Sequence, residues 1–166
     1  MPVQRLISAL EQLKDIHEQL LGLADRKREA LVHNDVDEVS AIVNKETRFA
    51  REITKLLQEQ TDATNDFFRA KGFQATRAVT VTELSRLIAD PAEKAALLSA
   101  RDRLAEAIAE LKVKNDLNQQ LIEQSLAFIN YSINLIVGPD EEPVYHNPVN
   151  PSAYGANRSG YFDSRA

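Results

Sequence analysis

The chain has 166 residues, a net charge of −5 and no cysteine. That length suits one domain with one core, or a few long helices with a tail. The composition excludes disulfides and thiolate metal sites and argues against a nucleic-acid face built on phosphate neutralisation. The Met-Pro-Val start has no basic segment followed by an apolar run, so no signal peptide is expected. No run of about 18 uninterrupted apolar residues predicts a membrane span. A soluble cytoplasmic protein is the expectation.

Good helix formers dominate between the proline and glycine markers: Pro2, Gly72, Pro91, then Gly138-Pro139. The first helix is predicted over about 3–33. Its stripe is Val3, Leu6, Leu10, Leu13, His17, Leu20, Ala24 and Leu31, spaced by threes and fours as in a coiled coil, with one beat missing near Lys27. Asn34 and Asp35 break the pattern. Asp35 with Glu38 three residues on has capping-box spacing, and starts a second helix over about 36–71. Its stripe is Val39, Val43, Ala50, Ile53, Leu57, Thr64, Phe67 and Phe68, and Gly72 suits a left-handed stop. Thr80 and Glu83 have the same box spacing and predict a short helix over about 81–89. The run Asp90-Pro91-Ala92-Glu93 starts a last helix over about 91–137, some 70 Å at 1.5 Å per residue. Residues 139–166, with four prolines, three tyrosines and many Asn, Ser and Gly, predict a tail that is flexible alone.

Helices this long need partners, because propensity alone does not hold them. The expected fold is all-α. It is an elongated antiparallel three-helix coiled-coil bundle, 1–138, with a short connecting helix and a flexible C-terminal tail, 139–166.

Convergent catalytic groups are scarce. The histidines are His17, His33 and His146. A di-iron bundle needs Glu three residues before His, but Lys14 and Ala30 stand at those positions. Two histidines four apart, as for zinc, are missing, and so is a glycine-rich phosphate loop. His17 and His33 read as ordinary helix residues, and "DRKRE" at 25–29 as a solvated face with local pairing. No enzyme, cofactor or metal is expected.

The last helix is more telling. On a helical wheel, Leu97, Leu104, Ile108, Leu111, Asn115, Asn118, Ile122, Ser125, Ile129, Ile133 and Ile136 form one stripe, expected to be the bundle seam along the whole helix. Asn115 and Asn118 sit where a seam tolerates a register-setting polar residue. A second arc about 120° away begins as a charged face, Arg103, Glu106, Glu110 and Lys114. From 117 it becomes Leu117, Leu121, Gln124, Phe128, Tyr131 and Leu135. A third arc, Asp116, Gln120, Glu123, Asn130 and Asn134, stays polar. An exposed row of this kind invites association. Its cover is another helix of the bundle, a partner's helix, a second copy, or the chain's own tail. Flanking Asn, Gln and Ser side chains, with no Lys or Arg in 117–136, suit a reversible interface. The missing basic residues speak against a membrane-surface helix.

"LNQQLIEQSLAFINYSINLI", 117–136, resembles the C-terminal helix of the FlgN family of flagellar type III export chaperones. "LLGLADRKREALVHNDVDEVSAIVNKE", 20–46, resembles the family's two helices around a short Asn-Asp turn. "RSGYFDSRA", 158–166, resembles a terminal signature often seen in Firmicutes members. The resemblance implies a cytoplasmic chaperone of the two hook–filament junction proteins. Such a chaperone holds their terminal helices, prevents premature assembly and delivers them to the export gate. It assigns substrate binding to the C-terminal helical part, which maps onto 117–136. The wheel selects Leu117, Leu121, Gln124, Phe128, Tyr131 and Leu135 as substrate-binding residues, with Tyr131 a candidate for gate contact as well. The protein is expected to be a monomer or to self-associate weakly. A structural coiled coil acting through homo-oligomerisation is the alternative.

Overall fold

The structure, a computed structural model, describes residues 2–74 and 78–138. The expected tail, 139–166, lies outside them. The described residues form four helices and no strand: α1 Pro2–Val32, α2 Val36–Ala70, α3 Val81–Ser85 and α4 Pro91–Val137. The chain divides into two compact units, Met1–Gln124 and Ser125–Ala166. α4 contributes residues to both.

In the first unit, ion pairs give the direction of α2 against α1. Arg5 meets Asp66 at 2.7 Å, Lys27 meets Glu46 at 2.9 Å, and Arg26 bonds Glu38. As numbers rise along α1 they fall along α2, so the two helices run antiparallel. α4 runs the other way. Arg103 reaches Glu11 (3.4 Å) and Lys114 reaches Asp25 (2.8 Å), so α4 lies parallel to α1. Pairs between exposed side chains add little stability. The core supplies it: Leu6, Leu10 and Leu13 of α1, Leu56, Ala63 and Phe67 of α2, Leu84 of α3, and Leu97, Ala100 and Leu104 of α4. Phe67 and Phe68 add an edge-to-face contact, 5.9 Å between ring centres.

The buried positions differ from the expected stripes by one residue at several places. α2 buries Ile42 and Leu56 and exposes Val43 and Leu57. α1 buries Ile16 and leaves His17 half-buried. α4 buries Ala100 and Ala107 and exposes Ile108 and Asn115. Among the covered positions, 39, 42, 46, 49, 53, 56, 60, 63 and 67 of α2 and 97, 100, 104, 107, 111, 114, 118 and 121 of α4 in the first unit form one row each, with neighbours such as Phe68 and Ile122 covered beside them. Both sets alternate steps of three and four, a seven-residue repeat. A wheel turned at 100° drifts about 20° per heptad from such a repeat, so over many turns it picks the neighbour. The missing beat in α1 is filled by Lys27, whose ammonium pairs with Glu46 with both side chains largely covered.

Local chemistry sets the ends. Asn34 has φ 55°. The Asp35 amide donates to the Ala30 carbonyl (2.9 Å) and the Asn34 amide to Leu31 (3.3 Å), a Schellman stop with Asn in the left-handed place. Asn34→Val is expected to cost at least about 1 kcal/mol in urea unfolding, since a β-branched residue resists that conformation, whereas Asn34→Gly should be near neutral. Gly72 (φ 76°) closes α2 the same way, with Phe73 donating to Phe68 and Gly72 to Arg69. At α2's start the Asp35 carboxylate accepts from the Glu38 amide at 3.0 Å, while the Glu38 carboxylate is taken by Arg26. Thr80 and Glu83 form a full capping box. α3 stops at Ser85, shorter than expected. Turn bonds from Leu87 and Ile88 then carry the buried Ile88 onto the core.

Candidate functional site

The first unit's part of α4 is seated on α1 by polar as well as apolar groups. Lys114 donates to Asp25, and that hydrogen bond raises its pKa above the usual lysine value against a smaller opposing effect of burial; the Glu110 carboxylate adds to the rise. Asn118, only 3% exposed, donates from Nδ2 to the Ala24 carbonyl at 2.9 Å. A donor of fixed length aimed at one backbone carbonyl selects one register of α4 on α1, as polar seam residues do in coiled coils.

The six residues singled out from the sequence fall as follows. In the first unit Leu117 and Gln124 are exposed and Leu121 is half-buried. In the second unit Phe128, Tyr131 and Leu135 are 69%, 61% and 68% exposed. Residues 128, 131 and 135 follow helical spacing of three and four, so these three side chains share an arc of about 60°. Asn134 is exposed and Asn130 half-buried on the neighbouring arc.

The expectation that the seam continues to the end of α4 is not met in the second unit. Ile129 is 45% and Ile136 is 85% exposed, while Ser125 and Ile133 of that stripe are half-buried. Leu126 and Val137 are exposed as well. The sequence did carry a signal for this: after 125 apolar residues occur on most sides of the helix, more than one neighbour can cover. The second unit therefore presents two apolar rows about 120° apart rather than one.

The rest of the chain offers other chemistry sparingly. His17 and His33 each donate from Nδ1 to the carbonyl four residues back, at 2.7 and 2.8 Å. Among the described residues no group of three or more His, Asp or Glu side chains is placed to hold a metal ion, and no helix is long and apolar enough to cross a membrane. What the exposed rows can do is bind: large apolar side chains beside neutral amides receive an apolar helix and bond its polar edge.

The family model described as "FlgN protein" matches residues 1–155. A protein of Bacillus subtilis (strain 168), named "Uncharacterized protein YvyG", is 26% identical over 166 residues, covering 100% of both chains. No solved structure matches.

Proposed function

The chain belongs to the FlgN family, the flagellar export chaperones, and from that premise we propose that it works in the cytoplasm on the hook–filament junction proteins, shielding their terminal helices from premature assembly and delivering them to the export gate. The observation that carries this reading is the exposure of Phe128, Tyr131 and Leu135 on one arc of the second unit. We assign them to the substrate, and separately propose Leu117, Leu121 and Gln124 as substrate-binding residues of the first unit. Tyr131 is also the proposed contact for the cytosolic domain of the gate. A three-helix coiled-coil arrangement of the body, supported by the seven-residue repeat of covered positions, belongs to the same proposal.

Binding here is helix recognition by an apolar row. Burying three large side chains contributes about 5–9 kcal/mol gross. Ordering a previously disordered segment costs roughly 2–5 kcal/mol of that, which leaves an affinity that holds the substrate and still permits release. Chemistry on a nucleotide plays no part in this mechanism.

The test is native mass spectrometry of the purified chain mixed with each junction protein. A complex of defined stoichiometry with at least one of them is expected. The second reading, a structural coiled coil acting through homo-oligomers, draws on the exposed Ile129 and Ile136. It predicts oligomers of the chain alone and no complex with either junction protein, and that result would displace the chaperone reading.

A further inference from the structure

Besides the arc of Phe128, Tyr131 and Leu135, the second unit carries an apolar row that the proposed function leaves uncovered. Leu126, Ile129, Ile133 and Ile136 follow steps of three and four along α4. Leu126 is 43%, Ile129 45% and Ile136 85% exposed, and Ile133 is half-buried. The two rows are set apart around the helix, so a single helix laid on one leaves the other open.

Size limits what can cover this row. From Leu126 to Ile136 it runs about 15 Å. A stable interface between free proteins covers about 800 Å² on each partner, and four aliphatic side chains on one short stretch of helix fall well short of that. A tethered segment escapes the requirement, because its effective concentration is millimolar. The chain has such a segment. Residues 139–166 begin where the row ends. Gly138 stops α4 in a left-handed conformation (φ 94°), its amide donating to the Asn134 carbonyl at 3.0 Å. A stop of this kind turns the chain off the helix axis. From Gly138 back to Leu126 is about 18 Å along α4, and the chain from Gly138 to Val144 spans up to about 20 Å. Residues after Val144 can therefore reach the whole row.

Charge selects the part of the tail that fits. Between Gln124 and Gly138 α4 carries no charged residue, so Asp140, Glu141 and Glu142 would find no partner on it. The next stretch, 143–157, has no acid, Lys or Arg. Pro143, Pro148 and Pro151 bias the residue before each towards extended backbone, which lowers the entropy cost of holding the segment straight. At three residues per turn of a polyproline helix, Tyr145, Pro148, Pro151 and Tyr154 share one apolar edge of about 28 Å.

We propose that residues 143–154 of the chain's own tail lie along Leu126, Ile129, Ile133 and Ile136, covering this row in cis and leaving the Phe128 row as the apolar face of α4 in the second unit that is open to a partner. The contact is a property of the chain alone and goes beyond the chaperone reading.

The test uses the full-length chain. It has no native cysteine, so Ser152→Cys gives a single attachment point for a nitroxide spin label. The label is expected to broaden the amide signals of Leu126 and Ile133 at least about twofold over the reduced label, as a tethered contact at millimolar effective concentration requires. Adding Tyr145→Ser with Tyr154→Ser, or Ile129→Ser with Ile136→Ser, should remove most of that broadening. Phe128→Ser with Leu135→Ser should keep it. Circular dichroism follows the helicity of each variant. The tyrosine pair lies outside α4, so it decides alone if the isoleucine pair loses helicity. No broadening in the parent chain overturns the proposal, and so does broadening that neither pair reduces. Broadening lost only in the Phe128 and Leu135 variant places the tail on the substrate row and overturns it. Broadening found only between a spin-labelled chain and a separate isotope-labelled one assigns the row to a second copy, and likewise overturns it.

Discussion

Leu97→Ala is expected to lower the unfolding free energy by about 3–5 kcal/mol, the upper part of the range for a leucine truncated in a packed interior. Leu97 is fully buried, in one cluster with residues of α1, α2 and α3. The first unit has few such residues; the largest fully buried side chains are Leu6, Leu13, Ile42, Leu84 and Leu97. Only the last belongs to α4. Below Leu104 the covered face of α4 holds Ala107, Leu111, Lys114 and Asn118, which bury less apolar surface. The upper turns of α4 therefore carry most of its hold on the body. Urea unfolding followed by circular dichroism checks the value. A loss under about 1 kcal/mol would show that α4 is not seated on this core.

The triple variant Phe128→Ala, Tyr131→Ala and Leu135→Ala is expected to behave in the opposite way. All three side chains are largely in solvent, and alanine is the best helix former, so thermal stability should change by no more than a few degrees. Affinity for the junction proteins should fall by at least about 1,000-fold, since each truncation removes roughly 1.5–3 kcal/mol of apolar contact. Calorimetric titration reads the affinity and a thermal scan reads the stability. Loss of both together would place the three residues in the fold rather than in the interface. Retained affinity would remove them from it.

The pair of variants marks what could be read from the sequence. Helix ends were legible because single residues decide them. Thr80 and Glu83 cap α3 reciprocally, Asp90 accepts from the Ala92 amide, and Gly72 takes a left-handed conformation. Faces were less legible, because a face is a cumulative property. A small error in the assumed period put Val43 in place of Ile42 and Ile108 in place of Ala107, and alanine carries too weak a hydrophobic signal to correct it. The buried role of Asn118 was legible from its place in a seam. Its bond to the Ala24 carbonyl was not, since that depends on α1 and α4 lying side by side.

The candidate site divides the same way. The change of one α4 face from charged to apolar at 117 could be read, and it put Phe128, Tyr131 and Leu135 among the proposed binding residues. The exposure of Ile129 and Ile136 could be read only in part: apolar residues on most sides of α4 after 125 exceed what one neighbour covers, but a sequence does not show which row a neighbour reaches.

The Asn34 reversal has a consequence for the order in which the protein assembles on the ribosome. Contacts across it close short to moderate segments, 12 residues for Arg26–Glu38 and 61 for Arg5–Asp66. Those between α1 and α4 close 89 to 94. Loop closure grows more costly with length, and nearby contacts form sooner. The α1–α2 hairpin can zip outward from its turn while α4 is still unmade. Synthesis adds about 5–20 residues per second, so for several seconds the nascent hairpin offers α4's seat to any apolar helix at hand, and a neighbouring chain's α4 would fit it as well as its own.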